Sequence, residues 1–193
     1  FNKKSEKLIS NYFLYHTMNL DNVSNLAYPS IVGSGINSAI LHYCNGSKII
    51  KSGDTILIDA GCEYLNYASD ITTTFPITVF DNYQKNIYNI VVECNKQCKE
   101  KVRVGVNFKD IYEFSLQFIY NEIKKLGLIN EDVKKSKKLS DSYIAKLLMP
   151  HGLGHFIGLD VHDVGGSLYN YRNKTGGIVL KRNMVITIEP GIY

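Results

Sequence analysis

The sequence has few features of a secreted or membrane-spanning protein. It has no tryptophan, no CxxC pair and only four cysteines in 193 residues. The cysteines are therefore predicted to be free thiols in a reducing compartment. No apolar run reaches the roughly 18 residues that a bilayer-spanning helix needs, and the first residues, FNKKSEKL, lack the apolar core of a secretory signal. We therefore expect a cytoplasmic protein without a membrane partner, with an organellar location as the alternative.

Motifs for nucleotide binding and serine hydrolysis are also absent. GSGINS at 33–38 fits neither GxGxxG nor GxxxxGK[ST], and no GxSxG occurs. Ser34 is interpreted as a turn residue. The net charge of +4 is concentrated in the lysines of 124–138. Without interleaved aromatic or arginine residues, this region is predicted to be a solvated loop, and no nucleic-acid partner is expected.

Hydrophobic periodicity indicates a mixture of helices and strands. Helices are predicted over 5–20, 82–102, 108–126 and 140–148, and strands over 39–43, 55–61, 67–75 and 184–189. The two middle strands form a predicted hairpin that turns near Asn66, and 130–140 is a predicted loop. The fold class is predicted to be α+β, with a mainly antiparallel sheet and helices on one face.

The hairpin brings two aspartates close together. With a turn at 64–66, Asp59 and Asp70 lie opposite each other or one step apart, about 5 Å. When two carboxylates lie this near each other, the pKa of one of them rises sharply unless a cation lies between them. A divalent metal would remove this conflict. The alternative is that one aspartate caps the hairpin and faces water, although the apolar strands around both argue against simple exposure.

A histidine cluster and a lone glutamate follow downstream. His151, His155 and His162 lie within twelve positions, in MPHGLGHFIGLDVHDVGG. A lone histidine is more often a satisfied core residue, but three so close favour metal binding or catalysis. Glu189 ends an apolar strand, either as an edge residue or as a carboxylate that bridges metals or takes a proton from water. Oxygen-rich ligation with one histidine favours Mn²⁺ or a similar hard ion.

Four separated segments, in this order, resemble the creatinase-like, or pita-bread, metallopeptidases. They are IVGSGINSAILHY, IDAGCEYLNYASDITTTFP, MPHGLGHFIGLDVHDVGG and VITIEPGIY. The resemblance covers nearly the whole chain and implies the pita-bread fold, a curved antiparallel sheet covered by helices. It implies that the metal ligands are Asp59, Asp70, His155 and Glu189. The other residues it implies are catalytic Glu189, His162 and His151, and substrate-binding His42, His151 and His162.

Within the family, the motifs are most similar to prolidase, an Xaa-Pro dipeptidase, and next to aminopeptidase P. The resemblance implies two divalent ions, Mn²⁺ first with Zn²⁺ or Co²⁺ as alternatives. It also implies a proline-containing dipeptide or peptide as substrate and a homodimer of the full-length protein. The alternative from another class is a non-catalytic peptide-binding member of the same fold.

Two departures from the family pattern stand out. Thr73 replaces the usual arginine of ITRTFP, a difference that we do not interpret. The family's last metal-binding glutamate would lie beyond Tyr193. We therefore expect residues 1–193 to be a catalytic domain that lacks an N-terminal domain and its final strands. By itself this domain is expected to be inactive or nearly so.

Overall fold

The structure, a computed structural model, describes residues 4–165, 168 and 177–193. The chain divides into two compact units, which we call the first unit (Phe1–Tyr83 with Ile157–Val164) and the second unit (Gln84–Phe156 with Gly165–Tyr193). Gly166, the last residue of the DVHDVGG motif, lies outside the described residues. No helix in the described part of the chain is long and apolar enough to cross a membrane. All four cysteines are free, as predicted.

From residue 4 onward, the first unit contains one α-helix and two three-stranded antiparallel sheets. Helix α1 spans Glu6–Met18, and Ser5 caps it by accepting a hydrogen bond from the Leu8 N–H. A 3₁₀ helix, Gly35–Ala39, follows the second strand. The strands are β1 Val23–Leu26, β2 Ile31–Ser34, β3 Thr55–Ala60, β4 Cys62–Tyr64, β5 Tyr67–Ala68 and β6 Ile71–Pro76. Their order is β1-β4-β5 in one sheet and β2-β3-β6 in the other.

Strands β3 to β6 form one long hairpin that is interrupted once in each arm. Asp59 pairs with Thr72, and further along Tyr64 pairs with Tyr67. The turn is therefore Leu65–Asn66, whose φ angles of +50° and +69° are both positive, as a two-residue hairpin of type I′ requires. The predicted hairpin near Asn66 is confirmed. Its interruptions fall at residue 61 and at residues 69–70.

The second unit is mainly helical and has its own hydrophobic core. Its helices are α2 Asn82–Lys101 (which begins two residues before the unit does), α3 Phe108–Lys125, α4 Glu131–Ser136 and α5 Asp141–Leu148. Helix α3 is central, because Phe108, Ile111 and Ile119 are at most 1 % exposed. The side chain of Asn107 caps its first turn, and Gly127, with φ of +71°, follows its end. The predicted helices 82–102, 108–126 and 140–148 are confirmed.

Three predictions of secondary structure are wrong or incomplete. Residues 39–43 form no strand, because the 3₁₀ helix occupies their start and the apolar Ile40 is half exposed. The predicted loop 130–140 contains helix α4. Asn130 caps α4, and acidic residues in its first turn and lysines in its last match the helix dipole. The predicted strand 184–189 is reduced to a single bridge between Phe156 and Ile186.

Candidate metal centre

The first pair of predicted ligands, Asp59 and Asp70, is joined by a tyrosine of the first unit. The Tyr28 hydroxyl lies 2.6 Å from Asp59 Oδ1 and 2.9 Å from Asp70 Oδ1. Because Asp59 pairs with Thr72, Asp70 is two positions from the residue opposite Asp59. This offset is one step more than predicted, and Asp70 lies at the interruption just before β6, yet both carboxylates reach the Tyr28 hydroxyl.

The electrostatics of this pair favour a cation. Burial raises the pKa of Asp59, the hydrogen bond from Tyr28 opposes the rise, and the charge of Asp70 adds to it. Burial and the two carboxylates also raise the pKa of the Tyr28 phenol. The phenol has one proton, so it can donate to only one carboxylate at a time. The donor set is rich in oxygen and short of positive charge, which fits a hard divalent ion.

The interruption in the hairpin depends on Gly61, just after Asp59. A Cβ at this position would lie 1.7 Å from the carbonyl oxygen of Ser69. Ser69 in turn bonds to both backbone groups of Cys62, with its N–H 2.9 Å from the Cys62 oxygen and its Oγ 3.0 Å from the Cys62 N–H. The two arms therefore approach closely just where the aspartates are placed.

Gly61→Ala is expected to lower the free energy of unfolding by about 1–3 kcal/mol, because the backbone of one arm must move. Urea unfolding of wild type and variant measures the change. Gly53→Ala, where φ is +85° and no atom lies within 4 Å of an added Cβ, measures the cost of backbone strain without crowding for comparison. An unchanged free energy of unfolding in Gly61→Ala would contradict the close approach.

The second pair of predicted ligands, His155 and Glu189, lies in the second unit. Nε2 of His155 is 3.3 Å from Oε1 of Glu189. Nδ1 of His155 is 2.9 Å from the carbonyl oxygen of Phe156. A carbonyl only accepts hydrogen bonds, so Nδ1 carries a proton, and whenever the ring is neutral Nε2 presents its lone pair toward Glu189. A metal ion or a proton would satisfy both acceptors.

Backbone hydrogen bonds hold this second pair in place. The Thr187 N–H donates to the His155 oxygen at 2.9 Å, and the Glu189 N–H donates to the Leu153 oxygen at 2.8 Å. A Cβ on Gly154 would lie 2.0 Å from the Thr187 oxygen, so the second glycine of HGLGH permits this close contact. The Thr187 hydroxyl accepts from the His155 N–H and donates to Glu189 Oε1, each at 2.9 Å.

Two other histidines of the motifs, His42 and His162, are exposed residues of the first unit. His42 follows the 3₁₀ helix and has a positive φ of +53°. His162 lies in the segment 157–164, which is anchored where the Ala68 N–H donates to the Gly158 oxygen at 2.8 Å. Their roles in substrate binding or proton transfer stay predictions.

His151 is partly buried in the second unit. Its ring meets Tyr193 edge-on, with centroids 5.3 Å apart, and its Nδ1 lies 2.7 Å from the Gly152 oxygen. As at His155, Nδ1 must carry a proton, because the carbonyl oxygen can only accept a hydrogen bond. A neutral His151 is thus held in the tautomer with the proton on Nδ1, and its role in substrate binding or catalysis stays a prediction.

Each unit contributes one pair of predicted ligands. Taken alone, neither unit gathers three or more His, Cys, Asp or Glu side chains suited to a metal ion among its described residues. The four-residue ligand set therefore stays a prediction. Within each pair, however, the donor atoms are close enough for a shared cation.

Sequence reasoning missed two residues that contact these pairs, Tyr28 and Thr187. Nothing in the local sequence AYPS marks Tyr28, since its contacts are 31 and 42 residues away. Thr187 could have been found, because residues two apart in an extended segment share a face and Glu189 is two positions on.

The profile of metallopeptidase family M24 matches residues 2–193. This chain belongs to metallopeptidase family M24. Two curated M24 relatives show the level of similarity. A probable Xaa-Pro aminopeptidase of Phaeosphaeria nodorum is 40% identical over 181 residues, 89% of this chain and 38% of the relative. The Xaa-Pro aminopeptidase of Escherichia coli is 37% identical over 181 residues, 93% of this chain and 39% of the relative.

Solved M24 structures match the fold. Aminopeptidase P from E. coli in a low-pH form has a TM-score of 0.85 at 33% identity, covering 99% of this chain and 42% of that one. The zinc-substituted E. coli enzyme in complex with product has a TM-score of 0.84 at 32% identity, with the same coverage. The predicted pita-bread α+β fold is therefore confirmed. This M24 chain spans about two fifths of the length of the relatives it matches.

Proposed function

We propose that this chain is the catalytic part of a metal-dependent peptidase that cleaves the bond before proline. The family is one of metallopeptidases, and the relatives reported above are Xaa-Pro aminopeptidases. Their names favour an aminopeptidase over the Xaa-Pro dipeptidase that motif similarity placed first. The substrate is accordingly a peptide with proline in second position. A homodimer is part of this proposal.

The proposed metal ligands are Asp59, Asp70, His155 and Glu189. Three carboxylates and one neutral imidazole suit Mn²⁺, with Co²⁺ and Zn²⁺ as alternatives, and one solved relative is zinc-substituted. Two divalent ions bound there would supply Lewis-acid polarisation of the scissile carbonyl and a more acidic water. The observation that supports this best is the 3.3 Å distance between His155 Nε2 and Glu189 Oε1, with Nδ1 of the same ring 2.9 Å from the Phe156 carbonyl oxygen.

The protein's own groups would then orient substrate and move protons. Glu189 acts as the general base toward the attacking water, and the Thr187 hydroxyl holds one of its oxygens. His162 and His151 hydrogen-bond the substrate and help to protonate the leaving proline nitrogen, and His42 binds substrate. An Xaa-Pro bond has no amide N–H, so the pocket recognises a ring in its place.

A comparison of peptide substrates tests this function. The protein that contains this chain, loaded with Mn²⁺, is expected to release the first residue of a Gly-Pro-Ala-type tripeptide and to act poorly on the dipeptide Gly-Pro. The same tripeptide with alanine in place of proline is the control. Faster cleavage of the dipeptide would restore the dipeptidase assignment. Peptide binding without cleavage, at full metal occupancy, would favour the non-catalytic alternative.

A further inference from the structure

A buried carboxylate of the first unit lies outside the candidate metal centre. Glu6, the first residue of α1, is 0 % exposed, a position that is costly for a carboxylate without partners. Ser34 donates to Glu6 Oε1 through its N–H at 2.7 Å and its hydroxyl at 2.9 Å, and Asn37 donates through its amide at 3.1 Å. The Tyr43 hydroxyl, at 3.0 Å, and the Lys48 N–H, at 3.1 Å, donate to Oε2. Both oxygens are therefore fully engaged.

These hydrogen bonds keep the carboxylate charged. Burial alone would raise the pKa of Glu6, but the bonds from Ser34, Asn37 and Lys48 outweigh burial, and the pKa lies below its usual range. At neutral pH, Glu6 is an anion that only accepts hydrogen bonds. The five groups that donate to Glu6 belong to residues far from it in sequence. Glu6 therefore connects the start of α1 to those residues.

Four of the five donors belong to Ser34, Asn37 and Tyr43, in the segment 34–43, which contains His42. The amide of Asn37 also donates to the Tyr43 hydroxyl at 2.8 Å, so these two residues are bonded to each other as well as to Glu6. His42 directly precedes Tyr43 and has a φ of +53°. Such a φ is uncommon for an L-residue, and it persists where the surrounding structure holds the backbone in place. The Glu6 network supplies that constraint one residue away.

Lys48 closes the network on the far side of the segment. Its ammonium donates to the Ser34 carbonyl at 2.8 Å and lies 3.2 Å from Asp54 Oδ2. A Cβ on Gly35, which has a φ of +54°, would lie 2.4 Å from that ammonium. Ser34, interpreted from the sequence as a turn residue, is instead the buried last residue of β2 and is bonded on both sides. The backbone of the segment is thus held in place at its first residue, Ser34.

We propose that Glu6 is a positioning residue for substrate binding, which holds segment 34–43 in the conformation that presents His42. The inference rests on the proposed function for the role of His42. Glu6 itself touches no substrate. Its effect passes through Ser34, Asn37 and Tyr43 to the backbone on either side of His42.

The test uses Glu6→Gln and the milder Tyr43→Phe, with Ile119→Val, a buried substitution in the second unit, as the control. Gln keeps the shape of Glu6 but places an NH₂ group where two donors point. We expect KM for an Xaa-Pro peptide to rise about tenfold in Glu6→Gln, and less in Tyr43→Phe, with kcat changed less than about threefold. Ile119→Val should leave KM unchanged.

A second readout is independent of activity. The imidazole signals of His42 in NMR spectra, assigned by their loss in His42→Asn, should shift in Glu6→Gln and Tyr43→Phe but not in Ile119→Val. Unchanged His42 signals in both variants would overturn the proposal, as would shifted signals with an unchanged KM. If the wild type cleaves no Xaa-Pro peptide, the proposed function fails. The His42 signals then still decide whether Glu6 positions that residue. If Glu6→Gln does not fold, Tyr43→Phe decides alone.

Discussion

Glu189→Gln is expected to lower turnover of an Xaa-Pro peptide by about 10²–10⁴-fold, the usual loss when a proton-transfer group is removed. Gln keeps an oxygen that can accept the Thr187 hydroxyl, which lies 2.9 Å from Glu189 Oε1, so the local backbone should be preserved. It has no negative charge and cannot take a proton from water. Steady-state kcat is the measurement, with metal content determined on the same samples.

Two variants of Thr187 are the matched controls for this prediction. Thr187→Ser keeps the hydroxyl that bonds Glu189, whereas Thr187→Val removes it with little change in shape. Turnover should be almost unchanged in the serine variant and about tenfold lower in the valine variant, which corresponds to about 1.4 kcal/mol. Turnover of Glu189→Gln within about threefold of wild type, at equal metal content, would remove Glu189 as the base.

The long helices could be predicted from the sequence because their periodicity and their end signals agree. In α3, Phe108, Ile111 and Ile119 recur at helical spacing, an asparagine caps the start and a glycine follows the end. Predictions from periodicity were wrong where an apolar residue is not buried. Ile40 is apolar but 50 % exposed, and the predicted strand there does not form. In the lysine-rich segment, charge suggested a loop, but capping and the helix dipole stabilise α4.

The site could be predicted only as far as its residues interact locally or carry a family motif. The hairpin turn at Leu65–Asn66 brought Asp59 and Asp70 together in the prediction, but the register was one step off. The interruption at Gly61 is a matter of steric approach, which no periodicity reveals. Tyr28 reaches the aspartates from the connection between β1 and β2, and such a long-range contact depends on strand order rather than on local sequence.

The metal-free protein is expected to lose stability as pH rises through the raised pKa of Asp59. In the unfolded chain an aspartate has a pKa of about 3.9. In the folded protein, burial and the charge of Asp70 hold the pKa of Asp59 above its usual value. A raised pKa stabilises the fold at low pH, and this contribution disappears once Asp59 ionises. Asp59→Asn should remove this part of the pH dependence. Near neutral pH and without metal, the variant should be as stable as wild type or more so, because one of two adjacent charges is gone.

Bound metal is expected to reverse this order of stability between the wild type and Asp59→Asn. Mn²⁺ at about 100 times its dissociation constant should stabilise the wild type by about 2.7 kcal/mol, by mass action on the folded state. Asp59→Asn should lose most of this gain, since it removes a carboxylate ligand. Asp110→Asn, an exposed acid in the first turn of α3, is the matched control and should change neither result. Thermal unfolding with and without Mn²⁺, across pH 4 to 8, measures all three proteins. An Asp59→Asn variant that is less stable without metal, yet still fully stabilised by Mn²⁺, would show that Asp59 is a structural residue and not a ligand.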